Sequence, residues 1–294
     1  MTNAAPSAGG ASPTSAPIPT DDRPYSPGLE GIIAAETALG YVDGLNGRLL
    51  YRGYRIGDLV ERGTYGAVAH LLWTGEWDPR ARLTTTPVPP AVMATLRALP
   101  TDAKPMDALR TAVAAWGATQ RLDWPPTVEQ ARALTEFSPS ALAAFARLRR
   151  GLEPIEPNPE LDLVSGFLYQ LNGEIPDPGT ARALDAYFIV GAEHGLNAST
   201  FAGRVAAATL ADLHSAVVAA IATLKGPLHG GANADVMRML LEIGPEATPA
   251  RVEEYVRAKL ARREKIPGFG HRVYRTEDPR AQHLRRLSRE LGER

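Results

Sequence analysis

Three of the six histidines in this chain stand next to a glycine, and they are the first residues whose type and setting could do chemistry. They are His194, His229 and His271. Because glycine lets the backbone turn sharply and lets a ligand approach closely, an imidazole beside it is well placed to bind a ligand or transfer a proton. The remaining three histidines fall inside helical patterns, where we expect structural roles: His70, His214 and His283.

His229 lies in the glycine-rich segment 225–233, KGPLHGGAN, which follows an apolar stretch. We expect the glycines to open a gap and His229 to project at the start of the next helix. The positive end of that helix dipole would favour a neutral imidazole, which can polarise a carbonyl group and protonate a forming enolate. The structural alternative is a glycine-rich turn in which His229 only caps the helix.

His271 belongs to the segment 266–275, IPGFGHRVYR, which continues to Arg280. Its G-F-G run is not a dinucleotide fingerprint, because no predicted strand precedes it and the third glycine is missing. Three arginines fall within nine residues here: Arg272, Arg275 and Arg280. Since guanidinium groups pair with carboxylates and phosphates, an anionic ligand with a carbonyl near His271 is expected. The alternative is a solvated face on which these arginines form salt bridges with Glu264, Glu277 and Asp278.

Composition excludes several other classes of protein. With 32 Lys and Arg against 33 Asp and Glu, the net charge of −1 gives no general attraction to nucleic acid or anionic lipid. The chain has no cysteine, which excludes disulfides, iron–sulfur clusters, thiolate metal sites and a cysteine nucleophile. Neither a close pair of metal-binding histidines nor a G-x-S-x-G serine motif occurs, so we expect no metal site and no serine hydrolase.

The hydrophobic spacing predicts an all-α fold of many short to medium helices. Helical patterns lie near 65–75, 106–119, 129–149, 160–172, 180–194, 203–224, 233–243, 250–264 and from 281 onward. The exception is 40–54, GYVDGLNGRLLYRGY, where β-branched and aromatic residues alternate with glycines and predict one small hairpin. Long loops are expected at 78–92 and 151–159.

Two further segments have a distinctive composition. Residues 1–27 are rich in Pro, Ala, Ser and Gly, which predicts a disordered tail without an export signal. Residues 205–225 carry small side chains nearly all the way round, which predicts a central core helix or a subunit interface. No uncharged apolar run reaches the roughly 18 residues that would span a membrane.

Taken together, the three histidine segments resemble citrate synthases in their order and approximate spacing. The segments are HGLNAST at 194–200, KGPLHGGAN at 225–233 and IPGFGHRVYRTEDPRA at 266–281. In addition, GLEGIIAAETALGYVDGLNGRLLYRGY at 28–54 is similar to the N-terminal part of the bacterial family members. The resemblance thus runs from about residue 28 to the end of the sequence.

The resemblance implies a many-helix large domain over 28–230 and an incomplete small helical domain over 231–294, after the tail at 1–27. The enzyme would be an acyltransferase that condenses acetyl-CoA with oxaloacetate and water to give citrate and CoA. This reaction is the entry step of the tricarboxylic acid cycle. The resemblance also implies a cytoplasmic homodimer. No permanently bound cofactor, nucleic acid or membrane partner is expected.

The resemblance also assigns roles to the residues of the three segments. His229 would stabilise the enol of the thioester, and His271 would polarise the oxaloacetate carbonyl. His194 and Arg280 would hold oxaloacetate carboxylates.

Three further residues would contact CoA. Gly268 and Phe269 would lie along the adenine, and Arg275 would lie near the phosphates.

One departure from the family pattern concerns the catalytic carboxylate. In citrate synthases an aspartate that removes the methyl proton, together with further arginines, follows the IPGFGH-type loop by some tens of residues, whereas this sequence stops at Arg294. We therefore expect a truncated chain whose activity is impaired or depends on a partner. Asp278 and Glu277 are expected to form loop-stabilising salt bridges rather than to replace that base. The alternatives are a 2-methylcitrate synthase that uses propionyl-CoA and a non-catalytic relative that binds CoA or dimerises with a synthase.

Overall fold

The computed structural model of the protein describes residues 34–120, 122, 124–227, 229–270 and 274–293. His271, Arg272 and the tail at 1–27 therefore lie outside the described residues. The strands are β1 (Gly40–Asp43), β2 (Arg48–Tyr51) and β3 (Tyr54–Arg55). The helices are α1 (Ile56–Arg62), α2 (Tyr65–Thr74), α3 (Pro90–Ala98), α4 (Pro105–Ala118), α5 (Val128–Leu148), α6 (Leu163–Asn172), α7 (Pro178–Gly191), α8 (Ala198–Ala208), α9 (Leu213–Leu224), α10 (Ala232–Ile243), α11 (Pro249–Ala261) and α12 (Pro279–Gly292).

Most helices begin where the sequence supplies a capping side chain or a proline. Side chains that accept a backbone N–H of the first turn precede eight helices: Thr64, Thr127, Asp162, Asp177, Asn197, Asp212, Thr248 and Asp278. Prolines occupy the first position of α3, α4, α7, α11 and α12, where the missing N–H costs nothing. These local features confirm the all-α prediction.

The predicted hairpin is present and extends to a third short strand. β1 pairs with β2 and β2 with β3, both antiparallel, with Gly40 opposite Tyr51. Leu49 and Tyr51 turn into a hydrophobic cluster that also includes residues of α1, α2, α7 and α12. A second cluster joins α3, α4 and α5 with Ile221 of α9. The sheet therefore packs directly against α7, the helix that ends just before His194.

The segment predicted as one central core helix is instead two helices. The chain turns between α8 and α9, where Leu210 has a positive φ of 64° and the Asp212 side chain caps the new helix. The prediction of a central core helix does not hold for α8, because Val205 is 53% exposed and Gly203 is the one buried residue of that helix. α9 carries three buried residues, His214, Ala216 and Ile221. The sequence pattern does not show where α8 ends and α9 begins, because the small apolar side chains continue across the turn.

The helical pattern also missed two short helices, α1 and α3. α1 is seven residues long and follows the sheet directly, and α3 begins at Pro90 inside the segment expected to be a loop. Both are shorter than the window over which helical periodicity becomes distinct. Among the described helices, none is long and apolar enough to cross a membrane.

Candidate active site

His229 lies in the turn between α9 and α10, and its ring contacts the first turn of α8. The backbone N–H of Ser199 donates to His229 Nε2 at 3.2 Å, and the Ser199 hydroxyl oxygen lies 2.8 Å from the same nitrogen. Because a backbone N–H can only donate, Nε2 must be the acceptor, and the proton of the neutral imidazole is on Nδ1. The ring therefore presents an N–H donor on the side away from α8.

The turn that carries His229 depends on glycine. The His229 backbone N–H donates to the carbonyl of Gly226 at 3.0 Å, and that of Gly230 donates to the carbonyl of Leu224 at 2.8 Å. A Cβ atom at Gly230 would lie 2.4 Å from the Leu224 oxygen, so a larger residue cannot occupy this position without a backbone shift. The segment therefore forms a tight turn that depends on glycine, as in the structural alternative given above.

The helix end that meets the imidazole differs from the predicted one. We expected His229 to meet the N-terminus of the following helix, α10, whereas its ring nitrogen accepts from the N-terminal turn of α8. The reason is the close packing of α8 against α9, which brings Asn197 and Ser199 beside the turn. Asn197 caps α8 by accepting the Thr200 N–H at 3.0 Å, and the Ser199 hydroxyl lies 2.8 Å from its side-chain oxygen.

His194 follows the end of α7 and contacts a buried tyrosine from the third segment. Its Nε2 atom lies 3.3 Å from the Tyr274 hydroxyl, and the two rings meet edge to face with centroids 5.7 Å apart. Burial raises the pKa of Tyr274, which is 4% exposed, to about 12. The phenol is therefore neutral at physiological pH and can share a hydrogen bond with the imidazole.

Arg280 is half-buried at the start of α12 and is held by Asp278. Its Nε lies 3.0 Å from Asp278 Oδ1 and a terminal nitrogen lies 2.6 Å from Oδ2, which is the paired geometry of a guanidinium on a carboxylate. Burial acts to lower the pKa of Arg280, but the hydrogen bond and charge of Asp278, together with Tyr274 and Tyr51, outweigh it and the pKa is raised. The Arg280 charge also acts on the Tyr274 phenol, so the two groups lie within electrostatic reach.

The salt bridges given above as the alternative role of the arginines are only partly present among the described residues. Asp278 pairs with Arg280, but Glu277 pairs with Arg285 on the exposed face of α12. Glu264 pairs with its neighbours Arg262 and Lys259. Both Glu277 and Asp278 therefore form salt bridges, as expected of carboxylates that stabilise a loop.

The segment predicted to contact CoA is exposed, and its backbone turns sharply at two glycines. Gly268 and Gly270 have positive φ angles of 86° and 82°, and Phe269 between them is 76% exposed. Such a conformation strains any residue with a Cβ atom, which explains the glycines. Arg275 is also exposed, and its backbone N–H donates to the carbonyl of Gly44 in the hairpin turn at 2.8 Å.

Two of the three predicted histidines, together with Arg280, thus lie in defined polar surroundings, while His271 lies outside the described residues. The groups that contact the two histidines, Ser199 and Tyr274, were not predicted as site residues from the sequence. Ser199 and Tyr274 do fall inside the quoted segments, so their position was visible although their contacts were not. In the part of the chain that the structure describes, no group of three His, Asp or Glu side chains could hold a metal ion.

Comparison with known protein families decides the assignment. The family model described as "Citrate synthase, C-terminal domain" matches residues 28–294. This chain belongs to the citrate synthase family.

Individual relatives within the citrate synthase family support the same assignment. A citrate synthase of Haloferax volcanii is 42% identical over 282 residues, covering 90% of this chain and 74% of that protein. A 2-methylcitrate synthase of Mycobacterium tuberculosis is 41% identical over 283 residues, covering 92% of this chain and 71% of the relative. Identity alone therefore separates the two activities poorly.

Solved citrate synthase structures share the fold. The enzyme from Pyrobaculum aerophilum aligns with a TM-score of 0.81 at 38% identity, covering 91% of this chain and 71% of the other. A ternary complex of the Thermoplasma acidophilum citrate synthase with carboxymethyl coenzyme A and oxaloacetate aligns with a TM-score of 0.83 at 28% identity, covering 92% and 74%. The family and the all-α architecture predicted from the sequence are both confirmed.

Proposed function

We propose that this protein is a citrate synthase, which condenses acetyl-CoA with oxaloacetate and water to give citrate and free CoA at the entry of the tricarboxylic acid cycle. The observation that carries the proposal is the hydrogen bond from the Ser199 backbone N–H to His229 Nε2. It leaves an N–H donor on Nδ1, which is the group needed to bind a thioester carbonyl oxygen as it becomes an enol.

Residues of the three histidine segments supply binding and stabilisation for both substrates. The Nδ1–H of His229 donates to the thioester oxygen as negative charge develops there. Arg280 and His194 bind the carboxylates of oxaloacetate, and His271, by family resemblance, polarises its keto group. The enol carbon then attacks the keto carbon, a C–C bond forms, and the keto oxygen takes up a proton. Hydrolysis of the citryl thioester adds water and releases CoA.

The proton that leaves the methyl carbon needs a carboxylate as base. Glu277 and Asp278 are unsuited to this role, because each holds an arginine in a salt bridge. We propose that the base comes from outside the described residues. A general base contributes about 10²–10⁴-fold to such a step, so activity depends strongly on its presence.

We further propose that the protein works as a cytoplasmic homodimer. Exposed apolar side chains on the α8–α9 pair, Phe201, Val205 and Leu210, support a subunit interface there. The substrates are metabolites of the cell interior, which supports the location. CoA would bind along Gly268 and Phe269, with Arg275 near its phosphates.

The experiment that tests the function is thiol release from acetyl-CoA, with and without oxaloacetate. Since the chain has no cysteine, every thiol detected belongs to CoA. Release that depends on oxaloacetate and disappears in His229→Ala supports the proposal. Binding of CoA and oxaloacetate without any release favours the non-catalytic alternative.

A second candidate is 2-methylcitrate synthase, favoured by the 41% identity with the Mycobacterium tuberculosis enzymes. The same assay with propionyl-CoA distinguishes the two. A higher kcat/KM for propionyl-CoA than for acetyl-CoA would reassign the substrate while leaving the roles of the histidines unchanged.

A further inference from the structure

The hydroxyl group of Tyr51 joins the three-stranded sheet to the segment that carries His194. It donates to the carbonyl oxygen of Val190 at 3.0 Å and accepts the backbone N–H of Glu193 at 3.3 Å. The side chain is fully buried, with an exposure of 0%. The Tyr51 hydroxyl thus pairs with a carbonyl in the last turn of α7 and with a backbone N–H just after the helix, immediately before His194.

These backbone groups need a partner because the helix has ended. A carbonyl in the last turn of a helix has no partner within the helix, and buried polar groups without a partner are strongly disfavoured. Water has poor access to the interior around Tyr51. The phenol is therefore the group that fixes how the chain leaves α7, and with it the direction in which His194 points.

The strand opposite Tyr51 supports the same segment from a second side. Gly40 is the cross-strand partner of Tyr51, and a Cβ atom placed on it would lie 2.9 Å from Cγ of Glu193. The Glu193 carboxylate in turn accepts the backbone N–H of Gly195, and burial raises its pKa. Glu193 and Gly195, the sequence neighbours of His194, are thus both held by contacts that depend on the sheet.

The chemistry of the phenol suits a fixed hydrogen bond. Burial raises the pKa of Tyr51 far above its ordinary value, so it is neutral over the physiological range and keeps its proton for Val190. The hydrogen bond from the Glu193 backbone and the charge of Arg280 act in the opposite direction but do not outweigh burial. Tyr51 acts on the His194 segment through the backbone of Glu193.

From these contacts we propose that Tyr51 is a positioning residue, whose hydroxyl holds the His194 segment in the geometry that binds oxaloacetate. The expected effect on oxaloacetate binding rests on the proposed function of His194, whereas the hydrogen bonds of Tyr51 do not depend on it. Removing the hydroxyl should therefore weaken oxaloacetate binding without affecting CoA, whose predicted segment at 266–270 has no hydrogen bond to Tyr51 among those of the described residues.

The test is the variant Tyr51→Phe, with Tyr65→Phe as the matched control. Tyr65 is a half-buried tyrosine on α2, and its ring packs edge to face on Phe188. In Tyr51→Phe we expect faster hydrogen exchange of the backbone at 190–197. Its Kd for oxaloacetate, measured by calorimetry, should rise roughly tenfold, as the loss of one buried hydrogen bond predicts. The Kd for CoA should stay unchanged, and Tyr65→Phe should match the unsubstituted protein in all three measurements.

Three results separate this proposal from the proposed function. Unchanged hydrogen exchange and unchanged oxaloacetate affinity in Tyr51→Phe would overturn the proposal that Tyr51 is a positioning residue. Equal changes in Tyr65→Phe would overturn it as well. If the unsubstituted protein does not bind oxaloacetate, the proposed function fails, and the exchange measurement alone decides whether Tyr51 holds the segment. Should Tyr51→Phe not fold, Gly40→Ala pushes on Glu193 from the other strand and must show the same selective loss of oxaloacetate affinity.

Discussion

The backbone N–H of Ser199 donates to Nε2 of His229, so the first turn of α8 determines which nitrogen of the imidazole carries the proton. A side-chain partner could exchange its roles as donor and acceptor, but a backbone N–H cannot. Substrate-free His229 is therefore already in the tautomer that a forming enolate requires.

Replacing His229 by alanine should abolish condensation and leave oxaloacetate binding intact. The variant loses the Nδ1–H donor to the thioester oxygen, and the loss of such a group costs about 10²–10⁴-fold in kcat. Thiol release measures the first effect and calorimetry with oxaloacetate the second. A fully active variant would show that the assignment of His229 is wrong.

Replacing Ser199 by alanine should reduce kcat by a smaller factor, on the order of tenfold, because the backbone N–H to His229 remains while the hydroxyl is lost. KM for oxaloacetate should hardly change. Ser215→Ala is the matched control, since that hydroxyl also bonds the cap of its helix, Asp212, at 2.7 Å but contacts no catalytic group. Equal losses of kcat in both variants would mean that the effect comes from the helix ends and not from His229.

The sequence predicted the segments of the site well and their mutual contacts poorly. Glycines beside His194 and His229 marked both as exceptional, because a local turn leaves its trace in neighbouring residues. The contact between Ser199 and His229 spans 30 positions, and that between Tyr51 and Glu193 spans 142, so neither leaves a local pattern. Long-range contacts of this kind depend on how the helices pack against each other, and the hydrophobic periodicity of a single sequence does not specify that packing.

Replacing Arg280 by lysine should raise KM for oxaloacetate by roughly ten- to a hundredfold, although the positive charge is kept. An ammonium group cannot reproduce the paired donors of the guanidinium, which the structure shows engaged with Asp278. Arg285→Lys on the same helix is the control, because Arg285 pairs with Glu277 at an exposed site. Steady-state kinetics with varied oxaloacetate measures the difference, and equal KM values in the two variants would remove Arg280 from the site.

Replacing Gly268 by alanine should weaken CoA binding by several-fold and leave oxaloacetate binding unchanged. Alanine is strained at a φ of 86°, by about 1–2 kcal/mol, and its Cβ would lie 3.2 Å from Val236. Gly151→Ala is a control with the same type of strain, at a φ of 71°, in open space. Calorimetry with CoA tests the prediction, and a Gly151→Ala variant with equally weak binding would contradict it.

Stability should fall in mild acid because of His214, which is buried between α4 and α9. The side chain is 4% exposed, its ring packs edge to face on Trp116, and neither ring nitrogen has a hydrogen-bond partner among the described residues. Burial lowers its pKa below the value of about 6.5 that it has in the unfolded chain, while Asp212 acts in the opposite direction. Below that pH the unfolded chain binds more protons than the folded one, so stability decreases as the pH falls.

The matching variant for this acid sensitivity is His214→Phe, which keeps an aromatic ring against Trp116 but cannot titrate. Between pH 7 and pH 5 its thermal midpoint should fall less than that of the unsubstituted protein, measured by circular dichroism, while His70→Phe should retain the original slope. Asp212 titrates below this window: burial acts to raise its pKa, but the hydrogen bonds from Ser215 and His214 and the charge of His214 together lower it by more. Identical slopes in all three proteins would show that His214 is not the group whose protonation opposes folding.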